Sequence, residues 1–155
     1  MTVAIIGVDE YVWTTALAIR AWRTLAKLVV REGANIFLFN NGGQFDRECW
    51  TIVSQLKTRH SEIERHYHHG GCDYDVGYVD YISEFYDKVV FPQMGIPLRC
   101  YLRDRQMIDK CDVLVTWCLY EDLHAEQKNP AALAILYAQY KRKHIINLRY
   151  GHSIS

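Results

Sequence analysis

Two kinds of hydrophobic pattern alternate along this chain: short continuous apolar runs and longer stretches with apolar residues at helical spacing. Thr2–Val8 (TVAIIGV) is an apolar run closing on a glycine, which suits a strand buried on both faces of a parallel sheet. From Asp9 to about Arg31, Leu17, Ala21, Leu25, Leu28 and Val29 recur at helical spacing, and Gly33 follows as a stop signal. A second strand, Asn35–Phe39, breaks on Asn40-Asn41-Gly42-Gly43. The helix from Gln44 to about Arg59 then carries Phe45, Cys49, Ile52, Val53 and Leu56 along one stripe. Ile63–His68 reads as a third strand, and Gly70, Gly71, Asp73, Asp75 and Gly77 as the loop after it. Tyr78–Tyr86 reads as a short helix or an ordered loop, and Lys88–Phe91 as a brief strand stopped by Pro92. The remaining pattern predicts a helix over Leu98–Lys110, an apolar strand over Asp112–Leu119, a polar loop to Asn129, a helix from Pro130 and a last strand over His144–Leu148.

Strands alternating with helices predict an α/β fold, a Rossmann-like three-layer sandwich with a mostly parallel central sheet. Ligands of such sheets gather at the carboxyl ends of the strands, near the point where strand order reverses. In this chain that rim comprises Gly7–Glu10, Asn40–Asp46 and Leu119–Asp122.

Composition narrows the picture. A chain of 155 residues, half of them hydrophobic, fits one compact domain that hides roughly 70% of its unfolded surface. Lys plus Arg equals Asp plus Glu at 18 each, so no broad positive field exists to hold nucleic acid or an anionic membrane. Met1–Val8 has no basic region ahead of its apolar run, and Ala131–Ala138 is far too short to span a bilayer. The expectation is a cytoplasmic protein with no membrane partner. Five scattered cysteines without a Cys-x-x-Cys pair are expected as reduced thiols and supply neither zinc-ribbon nor thioredoxin-type spacing.

The strand, glycine turn and helix around Gly42 and Gly43 carry the strongest chemical signal. Such a junction turns bare backbone N–H groups and a helix N-terminus toward one point, which attracts phosphate or carboxylate. Gly42 and Gly43 either cradle an anion or simply make the tight turn. Asp46 either hydrogen-bonds a ribose hydroxyl or complements the helix dipole. Asp9 and Glu10 stand where the first helix begins; capping is their default role, and their charge favours a sugar or base edge over a phosphate there. Arg103 and Arg105, two apart on a helix, point in different directions, so one of them is expected to be structural. Arg105 shares a ridge with Leu98, Tyr101 and Ile108 and is expected to be partly buried with a carboxylate, carbonyl or phosphate partner.

Other clusters carry weaker signals. His66, His68, His69 and Cys72 lack a recognised metal-ligand spacing, although His66 and His68 share a strand face; no metal and no cofactor are expected. Tyr74, Tyr78, Tyr81, Phe85 and Tyr86 either stack on a base or pack a core. Trp117, Cys118 and Tyr120 end a central strand, and Cys118 has no histidine or arginine beside it in sequence to make its thiol nucleophilic. The helix from Pro130 has no polar face in its first two turns and must be buried all round, which predicts a homodimer or higher homo-oligomer.

Taken in order, Gly7, the turn Gly42-Gly43-Gln44-Phe45-Asp46, Phe91-Pro92, and Arg103-Asp104-Arg105-Gln106-Met107-Ile108 ahead of Cys111-Asp112-Val113-Leu114-Val115 resemble the SLOG superfamily. The resemblance is closest to its small YpsA-like Rossmann proteins and spans Val3 to Leu148. It implies a pocket for a nucleotide or a nucleotide-derived, ADP-ribose-like signal. The ligand residues it suggests are Gly7, Asp9, Asn41, Gly42, Gly43, Gln44, Asp46, Arg103 and Arg105. The chain also departs from the pattern. Gly7-Val8-Asp9 stands where the family has Gly-His-Arg, Arg103-Asp104 where it has Arg-Asn, and Asn129-Pro130-Ala131 at the second glycine turn; the Pro-Gly-Gly-x-Gly-Thr-x-x-Glu signature of the related cleaving LOG branch does not occur.

Three functions remain open on the sequence. The first is a binding protein that senses or sequesters a nucleotide-derived molecule, in a defence system, as a viral sponge or as a housekeeping regulator. The second is a LOG-type nucleoside monophosphate N-glycosidase using Glu84 or Asp46 as its carboxylate. The third is a ligand-free oligomeric interaction scaffold.

Overall fold

The structure is a computed structural model that describes residues 1–8, 13–40, 42–70, 76–91, 100–150 and 152–154. Asp9, Glu10, Asn41, Cys72 and Tyr74, named above, lie outside the described residues. In chain order the elements are β1 (Thr2–Ile6), α1 (Thr15–Glu32), β2 (Ile36–Phe39), α2 (Gln44–Lys57), β3 (Glu64–His68), α3 (Val76–Ser83), β4 (Lys88–Val90), α4 (Cys100–Lys110), β5 (Val113–Thr116), α5 (Tyr120–Leu123), α6 (Pro130–Tyr140), β6 (His144–Asn147) and β7 (His152–Ile154).

The strands form a single sheet in the order β4-β3-β2-β1-β5-β6-β7. The pairs from β4 through β6 are parallel, and β7 closes the edge antiparallel to β6. The chain winds outward from β1 to β4 and returns to β5 on the other side of β1. Strand order therefore reverses between β1 and β5, where Val3, Ala4, Ile5 and Ile6 pair with Val113, Leu114, Val115 and Thr116. Helix α1 follows β1 on one face of the sheet and α6 follows β5 on the other, the arrangement at which ligands of such sheets collect.

Side-chain parity assigns the two faces. Val3, Ile5, Phe37, Phe39, Val113 and Val115 project toward α1 and α2, and meet Leu17, Ala21, Leu25, Leu28 and Val29 together with Phe45, Cys49, Ile52, Val53 and Leu56. Both stripes are the ones the spacing predicts. Ala4, Ile6, Leu38, Leu114 and Ile145 project the other way, onto Met107, Ile108 and Cys111 from α4 and its surroundings and onto the alanines of α6. The result is the expected α/β three-layer sandwich. Among the described residues no helix is long and apolar enough to cross a membrane.

Three expectations are corrected. His144–Asn147 is not the last strand, because the tail returns as β7. The polar loop before Asn129 contains the short helix α5. Helix α6 is not buried all round: Ala131, Ala132, Ala134, Ile135 and Ala138 pack inward, while Leu133 is 42% exposed, Leu136 38% and Tyr140 79%. The small residues let the helix lie close to its sheet, which turns the bulky ones outward.

Candidate functional site

The carboxyl rim is organised by Asn40, the first residue after β2. Its backbone N–H donates to Asp46 Oδ2 at 3.0 Å, its Oδ1 accepts from the Gly42 N–H at 2.9 Å, and its Nδ2 donates to Asp104 Oδ1 at 3.1 Å. Asp104 Oδ1 in turn accepts from Arg103 Nε at 3.1 Å. Asn40, Asp46 and Asp104 are all buried. Buried carboxylates persist only with partners: Asp104 has the Arg103 guanidinium, and Asp46 lies in the first turn of α2, where the helix dipole favours negative charge. This chain of contacts ties the end of β2 to α2 on one face of the sheet and to α4 on the other.

Gly43 starts α2 from a backbone position of φ 136° and ψ −161°, a region open to glycine almost alone, and as the capping residue it has no side chain to offer the helix. Among the described residues, the N–H groups of Gly43 and Gln44 have no acceptor. Phe45 is buried and packs on the end of β1. A Cβ placed on Gly7 would stand 2.4 Å from the Phe45 ring, so only glycine lets strand and helix approach this closely.

Several candidate residues have contacts other than those the sequence suggests. The Gly42 N–H is held inside the turn by Asn40, so it does not face outward as a donor. Gly7 serves the packing of Phe45. Asp46 closes the turn through Asn40. Arg105 is exposed and not partly buried, with its Cζ 4.9 Å from the centre of the Tyr137 ring on α6. The two arginines therefore diverge as expected. Arg103 is the half-buried one, and its side chain lies against Gly70 at the end of β3. Glu84 follows α3 and precedes β4, at the amino ends of the parallel strands; it is exposed and stands at the opposite rim from Asp46, so the two do not share a site.

Arg103 also faces a cluster at the end of β3. Tyr67 Oη and His69 Nδ1 are 3.1 Å apart. Burial and the neighbouring Arg103 hold the His69 imidazole below its ordinary value. Burial, followed by Lys110, His66, Arg103 and Lys88, lowers His68 to about 4. Its Nε2 is buried without a hydrogen-bond partner among the described residues, and the lowered value makes His68 a neutral ring at ordinary pH. His66 pairs instead with Glu64, Nε2 to Oε2 at 2.6 Å. No group of three or more His, Cys, Asp or Glu side chains that could hold a metal ion occurs among the described residues.

Across the strand-order reversal, at the end of β6, Asn147 staples the loop after β5: its Oδ1 accepts from the Cys118 N–H at 3.1 Å and its Nδ2 donates to the Cys118 carbonyl at 2.9 Å. Burial pushes the Cys118 thiol up to about 12, so no thiolate forms there. Asn40 falls in the rim expected from the sequence and Asp104 is a candidate carboxylate partner of Arg105 there, but nothing in the sequence marks either as a hub, or Asn147 as a staple. The only signal for them was position, a polar residue directly following or ending an apolar strand, and in Asp104 a carboxylate facing Met107's side of its helix.

Two cavities border these elements. One of about 860 Å³ lies between α4 and α6, among Asp104, Arg105, Ile108, Lys128, Leu133 and Tyr137, and reaches the hub at the end of β2 through Asp104, which accepts from Asn40. One of about 410 Å³ lies between α2 and α3.

No protein-family model matches the chain, and no curated protein matches it. Among solved structures it is similar to the molybdenum cofactor carrier protein of Chlamydomonas reinhardtii, with a TM-score of 0.54 at 12% sequence identity over 93% of this chain and 73% of that one. At this identity the likeness is one of fold, and it agrees with the Rossmann-like architecture derived above.

Proposed function

We propose that this protein binds a nucleotide or nucleotide-derived, ADP-ribose-like molecule at the carboxyl rim of its sheet, as a sensor or sequestering protein. One observation carries the reading: α2 begins at Gly43, a capping residue without a side chain, and the Gly43 and Gln44 amides have no acceptor among the described residues, beside the strand-order reversal where ligands of such sheets collect. The amides of Gly43 and Gln44 receive the anionic group, with Arg103 as the cation of the rim. Asn40, Gly42 and Asp46 hold the turn in shape. The SLOG resemblance supports the same ligand class, and a fold neighbour that is a cofactor carrier supports capture of a small molecule. Glycosidase chemistry finds no support in Glu84 and Asp46, which occupy opposite rims.

Thermal unfolding with AMP, NAD, ADP-ribose and the molybdenum cofactor tests the proposal. A ligand present at a hundred times its Kd adds about 2.7 kcal/mol of stability, which for a chain of this size raises Tm by roughly 5–10 °C. No rise with any of the four overturns the reading.

We further infer that α6 pairs with α6 of a second copy. Leu133, Leu136 and Tyr140 are spaced by three and four residues, the repeat of a helix–helix seam, and such a stripe is self-complementary about a two-fold axis. Sedimentation is expected to give a dimer that Leu136→Lys converts to a monomer. A monomeric wild type contradicts the pairing.

A further inference from the structure

The cavity between α2 and α3 is walled by rings from three segments. Trp50 comes from α2, Tyr78 and Tyr81 from α3, and Phe85 and Tyr86 from the turn before β4. Tyr81 is 59% exposed, Tyr78 40% and Phe85 39%. Bulky rings exposed together around one hollow mark a binding surface more than a core. They meet edge to face: Tyr81 and Phe85 at 5.2 Å and 67°, Trp50 and Phe85 at 6.2 Å and 73°. An edge-to-face contact covers at most one face of a ring, and while Tyr86 is stacked on Tyr67 and Arg65 lies over Trp50, the largely exposed Tyr81 keeps a face for a planar guest. The indole is fixed for this purpose, because its Nε1 donates to the Phe85 carbonyl at 3.0 Å and Arg65 Cζ stands 5.3 Å from its centre. The volume of about 410 Å³ falls within the roughly 300–1,000 Å³ of small-molecule sites.

Charge decides which planar guest fits. The described lining contains no carboxylate, and it contains Arg47, whose guanidinium has no ion-pair partner among the described residues. An aromatic cage for a cation would set that charge against its ligand. A heteroaromatic ring carrying an anionic group meets both features: the rings stack on it and Arg47 faces its charge. Arg47 and Trp50 lie four and seven residues beyond Gly43, about 6 and 10 Å along the helix axis, a span on the scale of a nucleotide from phosphate to base.

We propose that this cavity is the base-binding half of the site, stacking the heteroaromatic base of a nucleotide whose phosphate lies at the start of α2. The inference rests on the nucleotide reading above and adds where the base is held. It is tested by calorimetric titration with AMP and with ribose 5-phosphate, which lacks the base. Quenching of Trp50 provides a second readout, assigned among the four tryptophans by Trp50→Phe.

AMP is expected to bind more tightly than ribose 5-phosphate and to quench Trp50. Tyr81→Ala is expected to weaken AMP roughly tenfold or more without changing ribose 5-phosphate, and Tyr81→Phe to retain AMP binding. Because Tyr81 is largely exposed, the alanine variant stays folded, and its melting curve checks this. AMP and ribose 5-phosphate binding alike, with Tyr81→Ala changing neither, overturns the base site and leaves the rim reading standing. AMP binding that needs Tyr81 but is indifferent to Gly43→Ala keeps the base site and removes the phosphate from α2. If neither probe binds, both proposals fall.

Discussion

Helices α1 and α6 close their amino ends with their own side chains, and α2 does not. Thr14 Oγ1 accepts from the Leu17 N–H at 3.1 Å, and Asn129 Oδ1 accepts from the Ala132 N–H at 2.8 Å, with Pro130 removing one further donor. At α2 the capping position is a glycine with no side chain to offer. Two polar side chains nearby bond within the turn: Asn40 Oδ1 accepts from the Gly42 N–H, and Asp46 Oδ2 accepts from the Asn40 backbone N–H. The three helix starts obey the same rule of orphan donors, yet of the three only α2 has a glycine as its capping residue, on a turn buttressed by Asn40 and Asp46. Under the proposed function, that difference separates a helix end closed for stability from one left to receive an anion.

The comparison breaks most severely if the support beneath α2 is removed. Phe45→Ala empties a fully buried site against Gly7 and is expected to cost about 3–5 kcal/mol in urea unfolding, with ligand binding lost alongside; an unchanged unfolding midpoint would show that the ring does not hold the helix in place. Acid comes next. His68 is protonated near 4 in the folded state and near 6.5 when unfolded, so the unfolded chain takes up the proton first as pH falls. Stability is therefore fully present above about pH 6.5 and declines toward pH 4, by roughly 3 kcal/mol at most from this residue. His68→Leu should flatten that part of the profile, and a wild-type profile level over this window speaks against a buried neutral ring.

The glycine itself gives a sharper contrast. Gly43→Ala forces a side chain onto φ 136° and is expected to cost about 1–3 kcal/mol, together with a loss of affinity for phosphate-bearing ligands. Thr14→Ala and Asn129→Ala each remove a cap and are expected to cost about 1 kcal/mol while leaving ligand affinity as it was. Equal effects of the three substitutions on binding would erase the distinction between the helix ends.

Much of the fold was legible in the sequence wherever burial is set by one periodic stripe. The buried residues of α1 follow from spacing alone, and so do the apolar ones of α2, because each of these helices has a wet face and a dry face. Legibility fails where burial depends on a partner distant in sequence. Asp104 is buried because Asn40 and Arg103 satisfy it, and no pattern within its own helix announces that. Helix α6 defeated the periodicity argument by being apolar on every side, so that side-chain size, and not polarity, decides which residues face the sheet. Strand β7 and helix α5 have three and four residues, too few to establish a period. At the candidate site, the glycine turn and the divergence of Arg103 from Arg105 could be read in advance; the hub at Asn40 and the aromatic hollow shared by α2 and α3 depend on tertiary contacts.

The central claim concerns individual amides, so it is tested most directly by following them. In a ¹⁵N-resolved NMR titration with ADP-ribose, the Gly43 and Gln44 signals are predicted to move furthest, with Gly42, already bonded to Asn40, moving less. A titration in which these signals stay still while residues between α4 and α6 respond, or in which nothing responds, would contradict the account.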